Sequence, residues 1–100
     1  MMRVVWSPRA LEDASSALAF IDQERPHNAL LVRERVSKSI ALLTSSQYGQ
    51  PGPVAGTFKV FVHKTSHFLV YRFAGKDTLE IVAFIHAARD WTAIDWERQP

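Results

Sequence analysis

The chain has 100 residues, 47% hydrophobic and 11% aromatic, with twelve Lys and Arg against ten Asp and Glu for a net charge of +2. That apolar content excludes a disordered chain and suffices for one core, so a single domain over 1–100 is expected. With no cysteine, disulfides, thiol chemistry and Cys-built zinc sites are excluded.

"MMRVVWSP" lacks the long apolar stretch of a signal peptide, and no window nears the roughly 20 apolar residues of a membrane helix. A cytoplasmic location with no membrane partner is expected. The mild basic charge permits a nucleic-acid or acidic-protein partner without requiring one.

Arg3 to Trp6 is a β-branched and aromatic run that stops at Ser7-Pro8. Ser7 suits an N-cap and Pro8 the first helical position, so a helix is predicted from Pro8 to about Gln23. Its predicted apolar stripe is Leu11, Ala14, Leu18 and Ile21, with Glu12 and Asp13 placed to favour the helix dipole. Pro26 ends that pattern and starts a second helix, with Ala29, Val32, Val36, Ile40 and Leu43 on one face. A linker this short predicts an antiparallel helix hairpin. Thr44 to Thr57 holds three Gly and two Pro and reads as a loop.

The period then changes to two. Phe58, Val60 and Val62 alternate with Lys59, Phe61 and His63, and "HFLVYRF" follows a turn at Lys64 to Ser66. After the Gly-containing turn "AGKD", "TLEIVAFIH" is the most apolar strand, expected to be central or covered on both faces. The order β-α-α-β-β-β indicates an α+β fold, a helix hairpin on one face of a small twisted antiparallel sheet. The first strand is expected at an edge or beside a meander strand. The other face then carries an apolar patch for the tail or a partner to cover.

The segments "VVWSPRALEDASSALAFI", "ERPHNALLVRERVSKSIALL", "GQPGPVAGTFKVFV", "HFLVYRF" and "IVAFIHAARDW", in this order, resemble the ParE/RelE superfamily of type II toxin–antitoxin toxins. The ParE-type plasmid-stabilisation branch is the nearer one. The resemblance implies a RelE/ParE-like fold and a growth-inhibiting protein silenced by a cognate antitoxin in a hetero-oligomer. It also implies one of two targets: DNA gyrase for the ParE-like branch, or messenger RNA on the ribosome for the RelE-like endoribonucleases.

Metal-independent RNA cleavage needs a base, a cation for the phosphate charge and an acid. Arg89 falls where the nuclease branch carries an arginine after the last strand. Phe68 stands where that branch has another, with Arg72 a partial replacement on the same strand face. The tail after Trp91 has no tyrosine. If the chain is a nuclease, Arg89, Arg72, His86 and His67 are its catalytic candidates. His67 and His86 then form an acid–base pair; otherwise His86 closes a strand through ordinary hydrogen bonds.

The preferred reading is a non-catalytic binder, with Arg89, Asp90, Trp91, Arg72 and Lys59 meeting the target and Arg89 as the anchor. An internal contact of Arg89 with Asp90 or Trp91 is the alternative. Leu30, Leu31 and Leu42 lie off the main stripe of the second helix. With Phe61 they are candidates for antitoxin binding, or they widen the core face. His63 and His67 lack a shared face and a carboxylate cluster, so neither metal nor cofactor is expected. A folded, antitoxin-binding but inactive protein is the third reading.

Overall fold

In the computed structural model, which describes residues 2–46 and 49–89, the elements run β1 (Arg3–Trp6), α1 (Pro8–Glu24), α2 (Pro26–Ser46), β2 (Gln50–Pro51), β3 (Phe58–Phe61), β4 (His67–Phe73) and β5 (Thr78–His86). Ser7 is the N-cap of α1 and its hydroxyl accepts the Ala10 N–H at 3.1 Å. Arg25 alone separates the helices in an extended conformation (φ −151°, ψ 96°), as a residue before proline prefers.

Two boundaries differ from expectation. The second helix continues through Ser46, and the segment read as a loop contains β2, whose Gln50 and Pro51 pair antiparallel with Lys59 and Phe58. A proline is tolerated there because the strand lies at a sheet edge. Thr57 closes the intervening turn, its hydroxyl donating to Val54 O at 2.6 Å, and Gly56 supplies the positive φ of +85°.

The five-stranded sheet has the order β1-β5-β4-β3-β2. Its meander is antiparallel, but β1 pairs parallel with β5, Val4 opposite Leu79 and Trp6 opposite Ile81. The sheet is therefore mixed rather than antiparallel. The helix pair carries the chain from the β1 edge to the β2 edge, and successive reversals return β5 beside β1 in the same direction.

The core cluster beneath the helices joins Ala10 of α1, Val32 and Leu43 of α2, Val60 of β3, Leu69 and Tyr71 of β4, and Leu79, Ile81 and Phe84 of β5. The face of α1 turned inward is Ala10, Ala14, Ala17, Leu18 and Ile21. Leu11, expected on that stripe, is 53% exposed. Alanine at positions 10, 14 and 17 allows the close approach to the sheet that a leucine prevents.

A β-bulge in β5 sets its two faces. Val70 pairs with Ala83 and Tyr71 with Ile81, leaving Val82 without a partner. Phe84 thus remains on the helix side while Val82, Ala83 and Ile85 join Phe68 and Val70 in a second buried cluster. The expected coverage of β5 on both faces holds. All five residues of this second cluster are buried, and Phe61 beside it is exposed.

Candidate functional site

His67 opens β4 and His86 closes β5, and the two are register partners. Their rings meet edge to face with centroids 5.0 Å apart, and His67 stacks on Phe84 at 4.7 Å and an interplanar angle of 6°. The β3–β4 turn fixes His67. The Thr65 hydroxyl donates to Val62 O at 2.9 Å and accepts the His67 N–H at 3.1 Å. Lys64 adopts a left-handed φ of +57° in the same turn.

His86 builds the turn that follows β5. Its Nδ1 accepts the Ala88 N–H at 3.0 Å, and its carbonyl accepts the Arg89 N–H at 3.0 Å. The Ala87 N–H donates to Ser66 O at 2.7 Å and ties this turn to the β3–β4 turn. Nδ1 must be unprotonated to accept, so the proton of a neutral ring resides on Nε2.

Across from the histidines stands Asp13 of α1. Its Oδ2 accepts the Phe84 N–H at 3.2 Å, beyond the last residue of β5 that β1 covers. Its other partner is Arg9, one turn earlier, at 3.6 Å. Burial raises the Asp13 carboxyl above its ordinary 3.8, a shift opposed by the Phe84 N–H and by the charges of Arg9 and Arg89. Burial, and then the neighbouring His86, lower the His67 imidazole below its ordinary 6.5. Glu12, Asp13, His67, Phe84, His86 and Arg89 line one hollow of about 310 Å³.

The structure thus unites three of the four residues expected for catalysis and separates the fourth. Arg72 lies on the opposite sheet face, where its Nε donates to the cross-strand Glu80 carboxylate. Phe68, on the same face, is 2% exposed, so Arg72 does not replace a cation beside Arg89. Lys59 also lies on that far face, 5.6 Å from the Phe68 ring centroid and 6.0 Å from that of Phe61. The expected set of Arg89, Arg72 and Lys59 is therefore not one surface. Asp90 and Trp91 lie outside the described residues.

The candidates for antitoxin binding also divide. Leu30 and Leu42 are exposed near opposite ends of α2, Leu31 lines a groove beside α1, and Phe61 sits on the far face of the sheet. Asp13 was legible only as a charge near a helix start, yet it falls in the second turn and faces inward. Its spacing from Ala10 and Ala17, three and four residues, was the signal. Among the described residues, no group of three or more His, Asp or Glu is placed to hold a metal ion, and no helix is long and apolar enough to cross a membrane.

Two helices packed on a five-stranded mixed sheet match the fold of ParE/RelE toxins. An isolated RelE toxin from E. coli superposes with a TM-score of 0.58 at 13% identity, covering 91% of this chain and 89% of that one. A chain of the chromosomal ParDE toxin–antitoxin system of P. aeruginosa superposes with a TM-score of 0.75 at 18% identity, covering 86% and 96%. Both likenesses concern the fold alone.

Within that superfamily, the model of the ParE toxin of the type II toxin–antitoxin system parDE matches residues 4–91, and the chain belongs to this family. "Putative toxin Y4kP" of Sinorhizobium fredii (strain NBRC 101917 / NGR234) is 27% identical over 93 residues, 92% of this chain and 95% of that protein.

Proposed function

We propose that the chain inhibits growth by binding and poisoning DNA gyrase, and that its cognate antitoxin neutralises it. The observation that favours a binding toxin over a nuclease is the division of the cations. Arg72 is engaged by Glu80 on one face, Arg89 lies among Asp13, Glu12 and the histidines on the other, and Phe68 occupies the remaining nuclease position. A phosphate entering the hollow meets Glu12 and Asp13 beside Arg89, with the Arg9 charge already engaged by Asp13, which opposes the anion binding that RNA cleavage requires. The Nδ1 lone pair of His86 is committed to the turn, which removes one candidate base.

One observation favours the ribonuclease reading: two imidazoles in contact beside an arginine are the components of general acid–base cleavage. Purified chain in a supercoiling assay with DNA gyrase, and in a translating-ribosome mixture with mapped messenger ends, separates the two. Inhibition or trapped cleaved DNA is expected in the first and intact messages in the second. Full gyrase activity at micromolar chain overturns the proposal. The variant Arg89→Ala, folded by circular dichroism, is expected to lose most of the inhibition.

A further inference from the structure

The sheet ends in two unlike edges, β1 and β2. β2 is two residues long and includes Pro51, which leaves little for another strand to pair with. β1 has four residues and contains neither proline nor lysine. Two hydrogen bonds fix which of its backbone groups turn inward. The Arg3 N–H donates to Asp77 O at 2.6 Å, and the Ser7 N–H donates to Ile81 O at 2.9 Å. Backbone groups alternate in direction along a strand, so Arg3, Val5 and Ser7 turn theirs to β5, and Val4 and Trp6 turn theirs outward. Among the described residues no strand lies beyond them.

Both faces of this edge are apolar. On the helix side, Met2, Val4 and Trp6 join Ile40 and Ala41 of α2 in a groove of about 670 Å³ that no charged residue lines. On the other face, Val5 is 37% exposed. The remaining hollows are charged. The one of about 690 Å³ between the helices and the β3–β4 turn is lined by Arg35 and Lys64 beside His67 and His86, and the one between the helices by Arg33. An uncharged groove continuous with unpaired backbone gives a charged partner nothing to pair with. It suits an occupant that brings an open strand edge and an apolar groove of its own. A second copy of this chain brings both.

We infer that β1 pairs antiparallel with β1 of a second copy across a two-fold axis at Val5, joining two five-stranded sheets into one. The axis stands perpendicular to the sheet, so the helices of both copies lie on one side and the two grooves meet. Val4 then stands opposite Trp6 of the second copy, and each such pair exchanges both its N–H···O bonds. An axis at Trp6 sets Val4 against Pro8, which has no N–H, and an axis at Val4 sets Trp6 against Met2, outside the strand. The Val5 axis also places Arg3 opposite Ser7 of the second copy, so the like charges do not meet. Pairing uses up the β1 edge, and β2 offers no comparable one, so the assembly closes at two copies. This surface is independent of the gyrase reading.

The chain has no cysteine, so a single introduced thiol reports the register. Val5 meets its own counterpart across the axis as a non-hydrogen-bonded pair with Cα atoms about 4.5 Å apart, within disulfide reach. Arg3, exposed on the same face, lies about 13 Å along the strand from its counterpart. Under mild oxidation Val5→Cys is expected to form covalent dimer about tenfold faster than Arg3→Cys, or better. Sedimentation of the wild-type 11.3 kDa chain is expected to show monomer near about 1 μM and dimer towards about 1 mM, the weak range that so short an edge sets. Val5→Lys opposes two like charges at the axis, and Ala41→Glu puts a charge on an exposed position of the groove. Each is expected to weaken the dimer about tenfold or more, with thermal unfolding confirming the fold. Equal crosslinking of the two thiol variants, or a dimer unchanged by Val5→Lys and Ala41→Glu, places association on another surface and overturns the inference. A chain that stays monomeric to about 1 mM overturns it outright, as does a mass that grows past the dimer.

Discussion

Ser7 makes four hydrogen bonds where β1 hands over to α1, one of them through its carbonyl, which accepts the Leu11 N–H at 3.0 Å. Its hydroxyl accepts from Ala10 and donates to Val82 O at 3.1 Å, and its N–H donates to Ile81 O at 2.9 Å. The cap was legible because serine before proline is a helix-start signal. The bond to Val82 was not, because it depends on a bulge 75 residues away. Replacing this buried hydroxyl removes a cap and leaves the bulge carbonyl short of a donor, so Ser7→Ala is expected to cost about 1–3 kcal/mol in urea denaturation. Ser7→Asp restores an acceptor but no donor and places a charge against a carbonyl, so it should not recover the loss. Full stability in Ser7→Asp would show that only the cap matters. His67 gives the residue-scale pH dependence. Its folded value lies below 6.5, so the unfolded chain takes up this proton first as pH falls. The stability contributed by neutral His67 is complete above about 6.5 and declines below it, down to the folded value. The groups facing it include His86, Asp13, Glu12 and Arg89 in one hollow and Arg35 and Lys64 in the other. Chemical denaturation at pH 7.5 and 5.5 should show a smaller loss for His67→Gln than for the wild type; equal losses would assign the dependence to another group.

Between α1 and β5 the informative residue is Asp13, a carboxylate that completes a strand. β1 is too short to pair with β5 beyond Ile81, and Asp13 accepts the Phe84 N–H that the strand leaves over. Burial opposes its charge and raises its carboxyl, so the ionised form costs stability at neutral pH, a cost relieved as pH falls through the folded value towards 3.8. Neutral Asn retains an acceptor for Phe84 without a buried charge. Asp13→Asn is therefore expected to hold or slightly raise stability at pH 7, whereas Asp13→Leu, which leaves the N–H unpaired, should lose about 1–3 kcal/mol. A loss in Asn equal to that in Leu would mean that the attraction of Arg9 and Arg89 outweighs desolvation. Periodicity placed both helices and all three meander strands because apolar spacing reports which face is buried. It misassigned Leu11 because periodicity counts hydrophobicity and not volume, and the close contact with β5 selected the alanines at 10, 14 and 17. It missed β2 because two residues have no period. The histidines and Arg89 were legible as neighbours because His67 and His86 end adjacent strands; the diversion of Arg72 to Glu80 depended on register that the sequence alone did not fix.

Over the whole molecule, the main core draws residues from both helices and from β3, β4 and β5, with Val4 and Trp6 of β1 packed against it. No half of the chain holds a complete core, because β1 joins a strand that follows 71 residues after it. Sequence-distant partners of this kind bind the ends into one cooperative unit. Burial is graded across the sheet. β4 and β5 have neighbours on both sides and residues at 0–2% exposure on both faces, whereas β2 is two exposed residues at an edge. Native-state hydrogen exchange should therefore divide the sheet. Amides of Leu69, Val70, Ile81 and Ala83 are expected to exchange only through global unfolding, so their rates follow the overall stability and shift with denaturant as the unfolding curve does. The Gln50 amide is expected to exchange by local opening and to be nearly independent of denaturant. The turn at Ala87 to Arg89 should behave like Gln50, since its N–H groups are held by Ser66 and His86 alone in an exposed position. Under the proposed function, a target contact through Arg89 would then fall on the least protected part of the sheet end while the strands behind it stay closed. If Arg89 exchanges as slowly as Ile81, the turn is part of the global unit and the anchor is rigid before any partner arrives; if Ile81 exchanges as fast as Gln50, the two-faced core does not govern stability.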